Sequence, residues 1–235
     1  MYTDLIGEPM ATTLDEGNLY ALEGTDCSFK NTVCKGLVKY LAEKGIKSTA
    51  LSYPIYNHPT NIFVDKMLAG AYGSDPKDIP PMVGALGFML QRMDDFQCNW
   101  KEAYNNKEII ISDRYSGSNV VHQATKLSTL VAQLDCAKQI LHIEHNQLLV
   151  PRPTKVVFLA MHPDIVKQIK EERGCGHTGG DVHEASQEYL VECYTKTLEL
   201  VSALGWVVVY CFNKGDMSIR SREEILADVI KVFEL

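Results

Sequence analysis

The stretch Leu19-Tyr20-Ala21-Leu22 and then Glu23-Gly24-Thr25-Asp26-Cys27-Ser28-Phe29-Lys30-Asn31-Thr32 decides how the whole chain is read. Leu19–Leu22 is a brief apolar run of the kind that forms a buried strand. Downstream, Asn31–Glu43 carries Val33, Leu37, Tyr40 and Leu41 at helical spacing, with Gly45 as the stop signal. A Gly, four intervening residues and a Lys at the start of that helix stand in the place of a phosphate-binding loop. There, backbone N–H groups and the helix dipole hold anionic oxygens while a Lys reaches the outer phosphates. Gly24, Thr25, Cys27, Ser28, Phe29, Lys30, Asn31 and Thr32 are therefore the candidate phosphate cradle. Two residues depart from the motif. Phe29 stands where a second Gly is expected, at a cost of about 1–2 kcal/mol if the backbone turns left-handed there. Asn31 stands where a Ser or Thr hydroxyl would ligate Mg²⁺; its amide oxygen, or the hydroxyl of Thr32, is the substitute.

Working outward, short apolar runs alternate with long amphipathic ones. Thr49–Tyr53, Ile109–Ser112, Val156–Met161 and Trp206–Phe212 read as further buried strands. Gly84–Trp100, Leu127–Ile143, Ile165–Glu172, Gln187–Leu204 and Ser221–Phe233 read as helices. This order predicts an α/β domain, a five-stranded parallel sheet with helices on both faces. No repeat or linker divides it, so residues 19–235 form one domain preceded by an exposed arm over residues 1–18. The segments Asn57–Asn61, Gly70–Pro81 and Arg173–Asp181 are irregular, and the last, rich in Gly, suggests a lid around 170–184. Ligands of open parallel sheets sit beyond the strand carboxyl ends, which points to the loops after Leu22, Tyr53, Ser112 and Met161.

Composition narrows the classes. With 46% apolar and 23% charged residues the chain is neither disordered nor fibrous. Lys plus Arg number 23 against 30 Asp plus Glu, and a net charge of −7 gives no footprint for nucleic acid or an anionic membrane. No run approaches a membrane span. The seven cysteines are scattered without a C-x-x-C pair, which fits reduced thiols and a cytoplasmic protein.

The second informative loop is Asp113-Arg114-Tyr115-Ser116-Gly117-Ser118-Asn119-Val120-Val121-His122-Gln123. An Asp ending a buried strand is placed to orient Mg²⁺ or a water, and the adjacent Arg114 can aim its fork at phosphate oxygens. Asn119 and Gln123 are four apart, on one helical face, and carry amides able to read a base edge.

Taken together these residues resemble the thymidylate kinase family, P-loop nucleoside-monophosphate kinases, from about Leu19 to Phe233. The blocks that carry the likeness are Glu23-Gly24-Thr25-Asp26 with Lys30, Tyr53-Pro54-Ile55-Tyr56 followed by Leu68-Ala69-Gly70, and Phe88-Met89-Leu90-Gln91-Arg92. Asp113-Arg114-Tyr115 with Ser118-Asn119 follows, then Pro151-Arg152-Pro153, and Asp181-Val182-His183-Glu184 ahead of Tyr189-Leu190. The resemblance implies a P-loop NTPase-type three-layer fold, ATP as donor with Mg²⁺, dTMP as acceptor and a homodimer. It implies that Lys30 binds the β/γ-phosphates and that Asp26 contacts the acceptor side. Arg92 would clamp the acceptor's phosphate, with Arg114 beside it or the transferred group. Phe88 or Tyr53, with Pro54, would pack on the nucleoside; Asn119 would bond the base, with Gln123 nearby, and His122 would line the deoxyribose. Lys170 and Arg173 would be the lid cations, and Asn31 and Asp113 the metal ligands.

Departures from the pattern include Ile55 for an Arg and Gln91 for an Asp, besides Phe29 and Asn31. They keep two other readings open: a deoxynucleoside or other deoxynucleotide kinase, and a nucleotide-binding P-loop protein without turnover. His142 and His145 read as a solvated helix face, Glu144 as a surface or pocket-rim acid, and Cys175, His177 and His183 match no zinc pattern.

Overall fold

Strand β1 (Leu19–Gly24), a short apolar run buried at five of its six positions, is the central strand of the sheet. The computed structural model describes residues 18–73, 75–172 and 187–235. Around β1 lie β2 (Ser48–Ser52), β3 (Ile109–Asp113), β4 (Lys155–Ala160) and β5 (Val207–Tyr210), all parallel, in the order β2-β3-β1-β4-β5. The expected five-stranded parallel sheet is therefore present. Burial corrects one detail: β2 and β5 are edge strands with half-buried and exposed positions, not buried runs. The chain winds outward from β1 in both directions, so the crevice at its carboxyl end is the switch point where ligands bind.

Helix α1 (Lys30–Glu43), α7 (Pro163–Glu172) and α9 (Arg222–Phe233) cover one face. Val33, Leu37 and Leu41 pack there with Ile165, Val166, Ile225, Val229 and Phe233. Ser221 caps α9 by a reciprocal exchange with Glu224, which explains its sharp start. The other face carries α3 (Pro81–Asp95), α5 (Ser116–Gln123), α6 (Leu130–His142) and α8 (Gln187–Leu204). Their core is Ala85, Met89, Val120, Val121, Ala137, Ile140, Leu200 and Leu204.

Two short helices, α2 (Ile62–Leu68) and α4 (Lys101–Asn105), were not expected from periodicity. Seven and five residues are too few for a period of 3.6 to register. Helices α3 and α6 each run on into a π-helical turn, at Phe96–Trp100 and Ile143–Gln147. That wider turn rotates the following residues relative to a continuous α-helix.

At the amino-terminal boundary, Asn18 belongs to the body rather than to an arm. It is buried, and its amide donates to the carbonyls of Tyr104 and Glu108. Residues 1–17, and the expected lid from Arg173 to residue 184 with Cys175, His177 and His183, lie outside the described residues. Among the described cysteines, 27, 34, 98, 136 and 211 are free thiols. Among the described residues no helix is long and apolar enough to cross a membrane.

Candidate active site

Parallel pairing sets the level of the site. Leu22 lies opposite Asp113 and Gly24 opposite Leu159, so the loops after β1 and β3 leave the sheet side by side. Gly24 has φ +146°, and a Cβ there would stand 2.4 Å from the Leu159 carbonyl oxygen. Only glycine lets the loop pass so close to β4. The loop then turns through positive φ at Cys27 (55°) and Phe29 (63°) before α1 begins at Lys30. Phe29 thus adopts the left-handed backbone that the motif assigns to glycine, and its ring is tied down: it packs against the α1 face of the core, with the Arg222 guanidinium 5.7 Å from its centroid. The Cys211 thiol donates to the Ser28 carbonyl at 3.5 Å, a second tether from the end of β5.

Lys30 is buried and folded back onto its own loop, donating to the Thr25 carbonyl at 2.5 Å and to Ser28 Oγ at 3.1 Å. Burial, then the nearby Arg114 charge, pulls its ammonium down to about 8, against the opposing pull of Asp26, Asp113 and Glu23. Arg114, itself at φ 63°, reaches across from the β3 loop. Its Nη2 donates to Asp26 Oδ1 at 2.7 Å and its Nη1 to the Gly24 carbonyl at 3.3 Å. Lys170, near the end of α7, lies 3.7 Å from the other Asp26 oxygen. Asp26 is therefore the junction of three elements.

Glu23 is buried completely beneath this junction. It accepts from the Tyr115 amide at 2.9 Å and from Ser118 Oγ at 2.7 Å, welding the two loops together. Burial raises its pKa, and those bonds and the charges of Arg114 and Arg92 oppose the rise.

Beside the loops opens a cleft of about 680 Å³, counting its mouth and the open solvent there. Its lining comprises all nine candidate acceptor-contact residues: Asp26, Tyr53, Pro54, Phe88, Arg92, Arg114, Asn119, His122 and Gln123. The Tyr53–Pro54 peptide is cis. Tyr56, Leu68 and Ser118 complete the wall. Sequence reasoning quoted those three inside its motif blocks without assigning them to the site. Gln123 is buried, and its Oε1 has no hydrogen-bond partner among the described residues. It lies so close to Gly84 on α3 that a Cβ there would meet Oε1 at 2.4 Å. Asn119 donates to the Ala85 carbonyl at 3.3 Å.

Arg92 forms a bidentate pair with Glu144 through its Nε and Nη2, both side chains buried, the Nη2 bond being 2.9 Å long. Two expectations need correction. Glu144 is accordingly an interior residue, not a rim acid. His145 is interior too, its ring nitrogens bonded to the Val150 carbonyl at 2.9 Å and Ser116 Oγ at 3.1 Å. Burial lowers its pKa to about 4, so it is neutral at pH 7. Glu144 continues the buried stripe of α6, and the wider π-helical turn brings its neighbour His145 inward as well.

Candidate metal donors are hard oxygens. Asp113 ends β3, buried and close enough to act on both Lys30 and Arg114, while Asn31 and Thr32 are exposed on the first turn of α1. No cluster of three His, Cys, Asp or Glu exists among the described residues. Thr25 Oγ1, in the loop itself, is buried without a hydrogen-bond partner among the described residues. One or two carboxylates beside a phosphate cradle is the donor set suited to Mg²⁺, which takes its remaining ligands from phosphates and water.

Residues 22–215 match the family model described as thymidylate kinase. The chain is 25% identical over 156 residues to a probable thymidylate kinase of Archaeoglobus fulgidus, covering 66% of this chain and 70% of that one. In three dimensions it is similar to thymidylate kinase from Candida albicans, with a TM-score of 0.64 and 19% identity. That match covers 93% of this chain and 91% of the other, and it shows the shared fold.

Proposed function

The chain belongs to the thymidylate kinase family, phosphotransferases that phosphorylate dTMP, and from that premise we propose how its own residues carry the transfer. ATP binds through the Gly24–Thr32 loop and the start of α1, with Lys30 leaving its loop partners for the outer phosphates. The acceptor's nucleoside occupies the cleft between Tyr53, Phe88, Asn119, His122 and Gln123, and its phosphate faces Arg114 and Asp26. The observation that carries this reading is the Arg114–Asp26 bond of 2.7 Å, which joins the phosphate loop to the mouth of the cleft. Donor and acceptor phosphates thereby meet where Arg114 can neutralise the transferred group. An acceptor phosphate oxygen attacks the γ-phosphorus, the bond to the ADP oxygen breaks, and no proton has to move.

That last point favours a monophosphate over a nucleoside. A 5′-hydroxyl would require a base, and Asp26, the one carboxylate of the lining among the described residues, is held by Arg114 and faces Lys170. The unpartnered Gln123 Oε1 supports a pyrimidine with a ring N–H, as in thymine. Asp113 with Asn31, or Thr32 in its place, would hold Mg²⁺, which when bound neutralises phosphate charge. Arg173 remains the proposed second lid cation.

We also read the enzyme as a cytoplasmic homodimer without nucleic-acid or membrane partners. Val83, Leu86 and Leu90 form an exposed apolar stripe along α3, and Leu130 and Val131 at the start of α6 are exposed as well, which supports helix packing across a two-fold axis. Free exposed Cys98 suits a reducing compartment. An ADP-release assay with ATP, Mg²⁺ and dTMP, dUMP, dAMP or thymidine tests the substrate reading. Release is expected with dTMP and not with thymidine; the reverse order would overturn it.

A further inference from the structure

We propose that Glu144 is a positioning residue for the acceptor site, holding Arg92 as a fixed, charge-balanced hydrogen-bond donor rather than a free cation; this rests on the acceptor reading above. Arg92 lines the cleft while being almost wholly buried, and Glu144 engages its Nε and Nη2 from beneath. Nη1 is left out of this pairing, and Arg92 is one of the residues that line the cleft. The guanidinium carbon stands 5.9 Å from the Tyr53 ring centroid and 6.0 Å from that of Tyr115, so two aromatic walls confine it. Those walls are themselves fixed: Tyr53 donates to Asp95 Oδ2 at 2.5 Å and receives the Trp100 indole N–H at 3.2 Å, and Tyr115 donates to the Pro151 carbonyl at 2.9 Å.

Glu144 continues the buried stripe of α6 into the π-helical turn Ile143–Gln147, which is closed by the Leu148 amide on the Ile143 carbonyl at 2.9 Å and the Val150 amide on the Glu144 carbonyl at 3.1 Å. This pair spans α3 and the end of α6, so it sets the height of the cleft floor as well as the direction of one donor. A cation neutralised in this way adds little to the field on an acceptor phosphate. It serves direction, donating to a carbonyl of the bound base or to another neutral acceptor atom.

The test is steady-state kinetics on the full chain, with dTMP and ATP varied separately. Glu144→Gln keeps the shape and removes the charge balance. KM for dTMP should rise about tenfold with kcat and KM for ATP within about threefold of wild type. Glu144→Asp, which retains the carboxylate, should fall between. In an Arg92→Met background, Glu144→Gln should add nothing further to KM for dTMP, since its effect runs through the guanidinium. A Glu144→Gln enzyme with unchanged KM for dTMP, or one in which both KM values rise together, overturns the proposal. Should that variant fail to fold, Arg92→Met combined with Glu144→Met leaves no buried orphan charge. It should fold and bind dTMP at least about tenfold more weakly by calorimetry, and undiminished affinity would equally overturn the proposal. Failure of the acceptor reading would show in the wild type itself, as absent dTMP turnover and binding, and is thus distinct from a result confined to the variants.

Discussion

Phe29 sits at φ 63°, ψ 14°, a left-handed geometry that a residue with a Cβ enters at a cost of about 1–2 kcal/mol. The sequence placed a misfit there, and the physical answer is that Phe29 takes the glycine conformation while its ring is repaid by the core and Arg222. Phe29→Ala keeps the strain and loses the packing, so it should lower stability by about 1–3 kcal/mol; Phe29→Gly releases strain and should cost less. Urea unfolding of the pair decides the point, and equal losses would show that strain is not stored there. Lys30 gives a second prediction. With its ammonium pulled down to about 8 in the ATP-free enzyme, charge is lost as pH rises through that value. Accordingly kcat/KM for ATP should fall about tenfold per pH unit above it. Lys30→Arg, which stays charged, should show no such limb, whatever its absolute rate. His145 gives a third. Its folded pKa of about 4 lies below the ordinary 6.5, so the unfolded chain binds the proton first as pH falls. The stability it contributes is whole above 6.5 and lost progressively towards 4, by about 2 kcal/mol at pH 5. Urea melts at pH 7 and pH 5 should show that drop, and His145→Gln should shrink it.

At the scale of elements, the interior pair Arg92–Glu144 was written in the sequence and overlooked. On α3 the buried positions Ala85, Met89 and Arg92 follow one stripe; on α6 the stripe is Ala137, Ile140 and then Glu144. A basic residue on one apolar stripe and an acidic residue on another is the signal for a buried ion pair, since neither is tolerated inside alone. Reading Glu144 as a surface acid ignored its helical phase, and the π-helical turn that follows made His145 harder still to place. The short α2 and α4 were illegible for want of length. The long helices and the interior strands were legible because each buries one continuous face, and the edge strands β2 and β5 because they are short apolar runs in the alternating order, even though end residues shifted by a few positions. The outward face of α3 supplies the prediction at this scale. If Val83, Leu86 and Leu90 pack across a two-fold axis, Leu86→Asp should yield a monomer in sedimentation velocity while the unfolding midpoint of the subunit stays close to wild type. A wild-type chain that sediments as a monomer contradicts the dimer.

For the whole molecule, what was legible is the convergence of two loops on one cleft. A strand-end phosphate loop and a strand-end Asp-Arg pair must lie side by side once β3 neighbours β1, and all nine residues chosen for the acceptor do line one cavity. What was not legible is the state of its charges. Spacing reveals that Arg92, Arg114, Lys30 and Asp26 are near one another, but not which pairs balance in the absence of ligand. Here Arg114 is paired with Asp26 and Lys30 with its own loop, so nucleotide binding has to exchange those partners for phosphates, while Arg92 stays on Glu144. The measurement that tests this account most directly is transfer of label from γ-labelled ATP to dTMP with Mg²⁺, comparing wild type with Lys30→Ala. Labelled dTDP from the wild type, reduced by at least about a hundredfold in Lys30→Ala, is the predicted result. Label appearing only as inorganic phosphate, or no transfer at all while ATP and dTMP both bind, would contradict it.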